Sequence, residues 1–275
     1  MLSGDSYLLL AGTITALLGG ALVGSVSPAL VVARSITFGI TLLHSVLAGG
    51  LIGVFLTDVA HLPVPPVVTA ALVSILISIL TAEAVNRGLP EDSAIATSVC
   101  ISVTVTVVLT YYLSFMSPLG VSRAMSYVFG TSALATMSDI ARLTATAMLV
   151  IPLMHMFWGE FKYIFFDPEG AYSMGIRVRY YRYLLYALTA ATATSLAMSL
   201  GVLLTHIILT APGLIAVRLS ARRIHVIAYI SSFTIMILGY TLALFLELPP
   251  SAGVGIFASL AVIYALLGVR KWLTY

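Results

Sequence analysis

The stretch ITFGITLLHSVLAGGLIGVFLT, Ile36–Thr57, contains no Asp, Glu, Lys or Arg, and its one titratable side chain is His44. At 1.5 Å per residue a helix over it is about 30 Å long, the thickness of a bilayer's hydrocarbon core. Its apolar residues do not alternate with polar ones, so it does not read as a strand of a membrane barrel. Similar runs recur along the chain between charge clusters. Spans are expected at Tyr7–Val32, Ile36–Thr57, Val67–Val85, Ser93–Phe115, Arg142–Trp158, Tyr183–Met198, Gly201–Val217, Val226–Leu246 and Gly253–Gly268. The apolar stretch Tyr183–Val217 is too long for one crossing and is divided at Ser199–Gly201, where small and polar residues permit a tight turn.

Composition agrees with this reading. Of 275 residues 60% are hydrophobic and 8% charged, and the mean hydropathy is +1.10. Ordinary globular chains are about one quarter charged, so this one lacks the polar side chains to cover a water-facing surface. A net charge of +3 is too small for a phosphate-tracking face, which argues against a nucleic-acid partner. The single cysteine, Cys100, excludes an internal disulfide framework and reads as a small core residue. The fold class expected is all-α, a polytopic transmembrane helical bundle of eight to nine spanning helices, with residues 1–275 forming one domain and a cytoplasmic loop at 159–182.

Basic residues orient the bundle. Arg34, Arg87, Lys162, Arg177, Arg179, Arg182, Arg218, Arg222, Arg223, Arg270 and Lys271 fall on one side of the alternating spans, and only Arg123 and Arg142 on the other. The positive-inside rule makes the first side cytoplasmic, with the N-terminus outside and the C-terminal Arg270-Lys271-Trp272 inside the cell membrane. Met1–Ser6 carries Asp5 and no basic residue, so the first span reads as a retained helix and not a cleaved leader. Small residues recur at four-residue spacing in the first two helices, at Gly20 and Gly24 and at Ser45, Gly49 and Gly53. The plain reading is close helix packing; the alternative is a conduit lined by small side chains. The outer loop, Met116–Ala141, is expected to hold a short re-entrant or interfacial helix near Tyr127–Gly130.

No Walker loop, Gly-x-Ser-x-Gly elbow, His-Glu-x-x-His or Cys-x-x-Cys is present, so any ATP hydrolysis belongs to another chain. The inner loop carries FDPEGAYSMGI, Phe166–Ile176. Asp167 is placed as N-cap, Pro168 at the first helical position, Glu169 near the positive end of the helix dipole and Gly175 as the C-terminal stop. This short amphipathic helix either lies on the inner leaflet or meets a protein. Its acidic start and lack of Lys or Arg favour a protein.

Phe166-Asp167-Pro168-Glu169 with Met174-Gly175, followed by Gly201-Val202-Leu203-Leu204, Ala211-Pro212-Gly213 and Arg218–Arg223, resembles the permease subunit of the metal-ion (zinc, manganese, iron) ABC importer family. Gly39–Gly49, with His44, is similar to that family's second-helix signature, Gly-Asp-x-x-Ser-His-Ala-x-x-Pro-Gly. Glu91–Ile95, Tyr127–Gly130 with Ser138-Asp139, and Leu248–Gly253 resemble three further family motifs in the same order. The resemblance covers almost the whole chain. It implies a fold related to the vitamin B12 importer permease, working as a homodimer by alternating access. Cytoplasmic ABC ATPase subunits and an extracellular metal-binding protein would be its partners, with divalent metal as cargo and no permanently bound cofactor. It assigns ATPase coupling to Asp167, Pro168, Glu169, Gly170, Ala171, Met174 and Gly175.

One departure bears on the cargo. The family pairs an Asp with the His four residues later, which on a helix brings carboxylate and imidazole to one face. Here that position is Ile40, and Leu43 replaces the Ser before the His. His44 is then either a metal ligand or a hydrogen-bonded core residue. His206 stands where the family has a small or apolar residue, and convergence with His44 would restore a pair of metal ligands; the alternative is a histidine bonded to a backbone carbonyl. The missing Asp also admits a permease for a metal chelate or corrinoid. A secondary transporter working without an ATPase is disfavoured by the scarcity of mid-span acids. His155 between two methionines reads as packing, His61 beside Asp58 as a loop residue, and Glu83–Arg87 and Asp139–Arg142 as helical ion pairs.

Overall fold

The computed structural model describes residues 4–129 and 136–267. Gly130, Gly268, Arg270, Lys271 and Trp272, and the side chains of Arg123 and Tyr127, lie outside the described residues. Among the described residues thirteen α-helices follow one another: α1 Gly4–Val32, α2 Ile36–Asp58, α3 Pro66–Asn86, α4 Glu91–Met116, α5 Pro118–Phe129, α6 Met137–Met156, α7 Trp158–Phe166, α8 Pro168–Ser173, α9 Val178–Leu200, α10 Val202–Ile208, α11 Ala211–Leu219, α12 Ile224–Phe245 and α13 Pro250–Leu267. Among the described residues there is no strand. Eight segments of the described residues are long and apolar enough to cross a membrane, with α10 and α11 together forming one of them, and α13 is a shorter apolar helix.

Local chemistry sets the helix ends. Pro66 starts α3, where the missing N–H costs nothing. Thr136 and Asp139 form a reciprocal capping box at α6: Asp139 N–H donates to Thr136 Oγ1 (3.3 Å) and Thr136 N–H to Asp139 Oδ2 (3.0 Å). Gly201 ends α9 at φ +94°, a conformation that favours glycine, so the expected division of the long stretch falls at its sharpest backbone turn.

α1 and α9 are the central helices, 72% buried, whereas α4 is 17% buried and borders the bundle. α1 packs against α6, α11 and α12, and α2 against α3, α4 and α9. The small-residue faces serve these contacts. A Cβ on Gly49 would lie 2.7 Å from the Ala70 Cα, and one on Gly24 would lie 2.6 Å from the Tyr229 ring, so the helices touch where side chains are absent. The C-terminal end of α3 and the N-terminal end of α9 are tied through Glu83, which accepts from Arg87 (2.7 Å), Arg179 (2.7 Å) and the Tyr183 hydroxyl. Glu91, starting α4, accepts from Ser35 (2.5 Å) and Tyr186 (2.8 Å).

Three expectations need correction. The segment Gly201–Val217 is not one helix: it breaks at Leu209–Thr210 into α10 and α11, with Pro212 near the start of the second. Cys100 is exposed on α4 and is not a core residue, because α4 turns most of its surface away from the protein. The outer-loop helix is longer than expected, starting at Pro118 right after α4.

Candidate functional site

α2 and α10 lie against each other, and their two histidines meet: the rings of His44 and His206 are 6.0 Å apart, centre to centre, at 71°. Both are half-buried. His206 Nδ1 is 2.8 Å from the Val202 carbonyl. A carbonyl can only accept, so Nδ1 carries the proton and Nε2 keeps its lone pair. A backbone acceptor on the far nitrogen is the usual device for orienting a ligating imidazole. The carbonyl-bonded alternative and the ligand reading are thus compatible: the same bond that satisfies the ring leaves a coordinating nitrogen available. Leu43 is fully buried and Ile40 half-buried on the same helix, so no carboxylate joins the pair from the position four residues before His44. Among the described residues no group of three or more His, Cys, Asp or Glu side chains could hold a metal ion. Two borderline nitrogen donors suit late first-row divalent metals without holding them tightly.

The helix break that follows His206 is tied to α1 through the start of α11. The Thr210 carbonyl accepts from Ser27 Oγ (3.3 Å), and Gly213 N–H donates to the same oxygen (2.8 Å). One α1 hydroxyl therefore bonds both the N-cap carbonyl of α11 and an otherwise orphaned N–H of its first turn, which lipid could not do. Gly213 permits this approach: a Cβ there would lie 2.5 Å from the Ser27 carbonyl oxygen.

The inner segment forms as its sequence predicts. Asp167 caps α8 by accepting from Gly170 N–H (2.8 Å), and Pro168 is the first helical residue. Met174 N–H donates to the Gly170 carbonyl (3.0 Å) and Ile176 N–H to the Ala171 carbonyl (3.0 Å), while Gly175 turns at φ +81°. Ala171 is fully buried and seats α8 on α7 and α9. Asp167, Pro168 and Glu169 are exposed, as are Phe166, Tyr172 and Met174, the last three by 82%, 77% and 60%. An aromatic and thioether patch, of residue types enriched in interface cores, thus projects from one end of the bundle beside the exposed acids Asp167 and Glu169.

Elsewhere, Glu83–Arg87 and Asp139–Arg142 pair as expected, and Arg142 also donates to Ser199 on α9 (2.7 Å). His61 is an exposed loop residue. His155 Nδ1 is 2.9 Å from the Ile151 carbonyl, and its ring packs 4.9 Å from that of His225, a residue not singled out from the sequence. The available signal was a histidine two residues after Arg223, inside the first turn of an otherwise apolar span.

Residues 5–268 match the family described as the ABC 3 transport family. The chain belongs to it. The protein is accordingly a multi-pass membrane protein of the metal-transport ABC permease class. Within the curated relatives of this ABC 3 chain, a probable metal transport system membrane protein of Thermotoga maritima is 29% identical over 250 residues, 89% of this chain and 85% of the relative. The manganese transport system membrane protein MntC of Listeria innocua is 27% identical over 146 residues, 52% of each. Two solved structures share the fold: PsaBC from Streptococcus pneumoniae in complex with Fab, with a TM-score of 0.77 at 18% identity over 96% of this chain and 92% of that one, and a metal-chelate type ABC transporter in an inward-facing conformation, with a TM-score of 0.71 at 16% identity over 95% and 86%.

Proposed function

We propose that this chain is the translocation subunit of an ATP-driven importer for a divalent transition-metal ion, zinc, manganese or iron, and that the ion passes the His44–His206 pair. The observation that carries the proposal is the 6.0 Å approach of the two imidazoles, with the Nδ1–H of one committed to a carbonyl and its Nε2 available. A pair without a third ligand binds briefly and releases, as conduction requires. The manganese named for the Listeria relative agrees with a cargo of this class.

One chain supplies one permease domain, and a homodimer encloses the path. Its N-terminus is outside and its basic loops are cytoplasmic, following the eleven-to-two bias of Lys and Arg. Loop 159–182 presents Asp167–Gly175 to a separate ATPase subunit, and a binding protein delivers metal from outside. Closure of two ATPases would pull α8, and α7 and α9 behind it, to switch which side of the path is open. The exposed Phe166, Tyr172 and Met174 supply the apolar anchor such a contact needs.

Ile40 favours a second reading, a metal chelate as cargo, because the expected carboxylate ligand is absent. Stimulation of ATP hydrolysis separates the two in the complex of permease, ATPase and binding protein reconstituted in liposomes. Bare zinc, manganese or iron(II) should each be tried alone, and at least one should raise turnover severalfold. Stimulation by chelates only would transfer the assignment to the second reading.

A further inference from the structure

A cavity of about 500 Å³ opens between α7, the turn at 221–223 and the start of α12. Its polar lining is Lys162, Arg222, Arg223 and His225, with no Asp or Glu. The three cations are exposed and form no ion pair among the described residues. Asp167, the acid next in sequence to the lining residue Phe166, has its carboxylate committed to capping α8. Both ring nitrogens of His225 are shielded from solvent and lack a hydrogen-bond partner, so its N–H stands in this wall without an acceptor. Lys162 lies 5.8 Å from the centre of the Trp158 ring, which meets His225 edge-on at 4.3 Å. The other half of the cavity is apolar, through Val31, Val32, Val217 and Val226, and the last two are exposed on the outside of the bundle.

This arrangement selects an amphiphilic anion. His155 and His225 are close enough to suggest a metal site, but an ammonium and two guanidiniums in the same cavity repel a divalent cation. A phosphate meets three donors of opposite charge, and an acyl chain meets the valines. Basic clefts between helices at the cytoplasmic membrane surface bind acidic headgroups in this way. We propose that the cavity seats one anionic phospholipid of the inner leaflet, its phosphate among Lys162, Arg222 and Arg223 and an acyl chain along Val217 and Val226. The leaflet rests on the orientation read from the basic residues. Phe166, the residue before the coupling segment, lines the same cavity, so an occupied site braces α7 and, through it, α8.

The test is native mass spectrometry of the full chain in detergent, titrated with phosphatidylglycerol or phosphatidylcholine. Wild type should bind one phosphatidylglycerol per chain in preference to phosphatidylcholine. Arg222→Gln/Arg223→Gln should weaken it about 30-fold, the contribution of two surface cations. Arg87→Gln/Arg177→Gln, which removes the same charge from the same end of the bundle outside the cavity, should leave it unchanged. Retained helix content by circular dichroism guards against misfolding, and Lys162→Gln gives a second variant on another helix. Equal binding of both lipids, equal loss in the control, displacement by millimolar inorganic phosphate, or displacement by zinc would each overturn the proposal. Binding in micelles does not depend on which way the chain is inserted. Orientation is read separately, from labelling of Ser173→Cys in a Cys100→Ser background by an impermeant maleimide: reaction only after the membrane is opened supports an inner-facing loop, and reaction in intact cells overturns it.

Discussion

Ser27→Ala deletes one hydroxyl and with it both hydrogen bonds that Ser27 of α1 makes to the start of α11. Gly213 N–H loses its only acceptor at 2.8 Å, and the Thr210 carbonyl loses a longer bond of 3.3 Å; both lie in the buried interior. In soluble proteins a stranded buried donor costs about 1–3 kcal/mol. Hydrogen bonds between membrane helices measure lower, about 0.6–1.7 kcal/mol, because a chain unfolded in lipid still finds partners. The expected loss is therefore about 1.5 kcal/mol, roughly tenfold in the folding equilibrium. Gly213→Ala attacks the same joint sterically, since its Cβ would sit 2.5 Å from the Ser27 carbonyl oxygen and 2.6 Å from Ser27 Oγ, at a cost of about 1–3 kcal/mol. In the double variant one of those clashes is already gone, so the combined loss should fall short of the sum by more than the ~0.5 kcal/mol scatter of independent sites. Unfolding in mixed detergent and SDS micelles, followed by circular dichroism, measures all three. Single losses within error of zero, or strict additivity, would refute the idea that one hydroxyl staples the start of α11 to α1.

Gly175→Ala forces a side chain into φ +81° where nothing else crowds it, so the cost is purely backbone strain of about 1–2 kcal/mol. Reconstituted complexes should keep ATP turnover and lose coupled uptake; fully coupled uptake would count against the role given to α8. Gly49→Ala brings a Cβ within 2.7 Å of the Ala70 Cα and the Thr69 carbonyl oxygen, both backbone, and should destabilise the α2–α3 pair by about 1–3 kcal/mol in the same unfolding assay. A neutral result would mean the helices separate easily. Cys100→Ser should change stability by less than about 0.5 kcal/mol, as befits an exposed position. Native Cys100 should react with a membrane-permeant maleimide, and protection from it would place another chain over α4.

Charge scarcity and apolar run length made the spanning helices legible, because a membrane imposes its thickness on the sequence. Asp167, Pro168 and Gly175 made α8 legible, because each residue satisfies a specific backbone requirement of a short helix. The break at Leu209–Thr210 has a local sign in Pro212-Gly213, which the span length masks, but the bond that stabilises it comes from Ser27, 183 residues away in sequence from Thr210, and hydrogen bonding at that separation leaves no periodic trace. Cys100 was misplaced for a related reason. In a span where both faces are apolar, hydropathy does not separate the surface that meets lipid from the one that meets protein, and α4 is mostly the former. The meeting of His44 with His206 was accessible only as a suspicion, since chemistry marks each as unusual in a span but topology alone brings them to 6.0 Å. His225 went unnoticed because it follows two arginines that account for the local polarity.

Radiotracer uptake into liposomes bearing the full transporter, comparing wild type with His206→Ala and His44→Ala, tests the central claim most directly. The account predicts that each variant assembles with the ATPase and hydrolyses ATP, yet takes up zinc, manganese or iron at least about tenfold more slowly, the effect of losing one of two ligands. Uptake at the wild-type rate in both variants would contradict it.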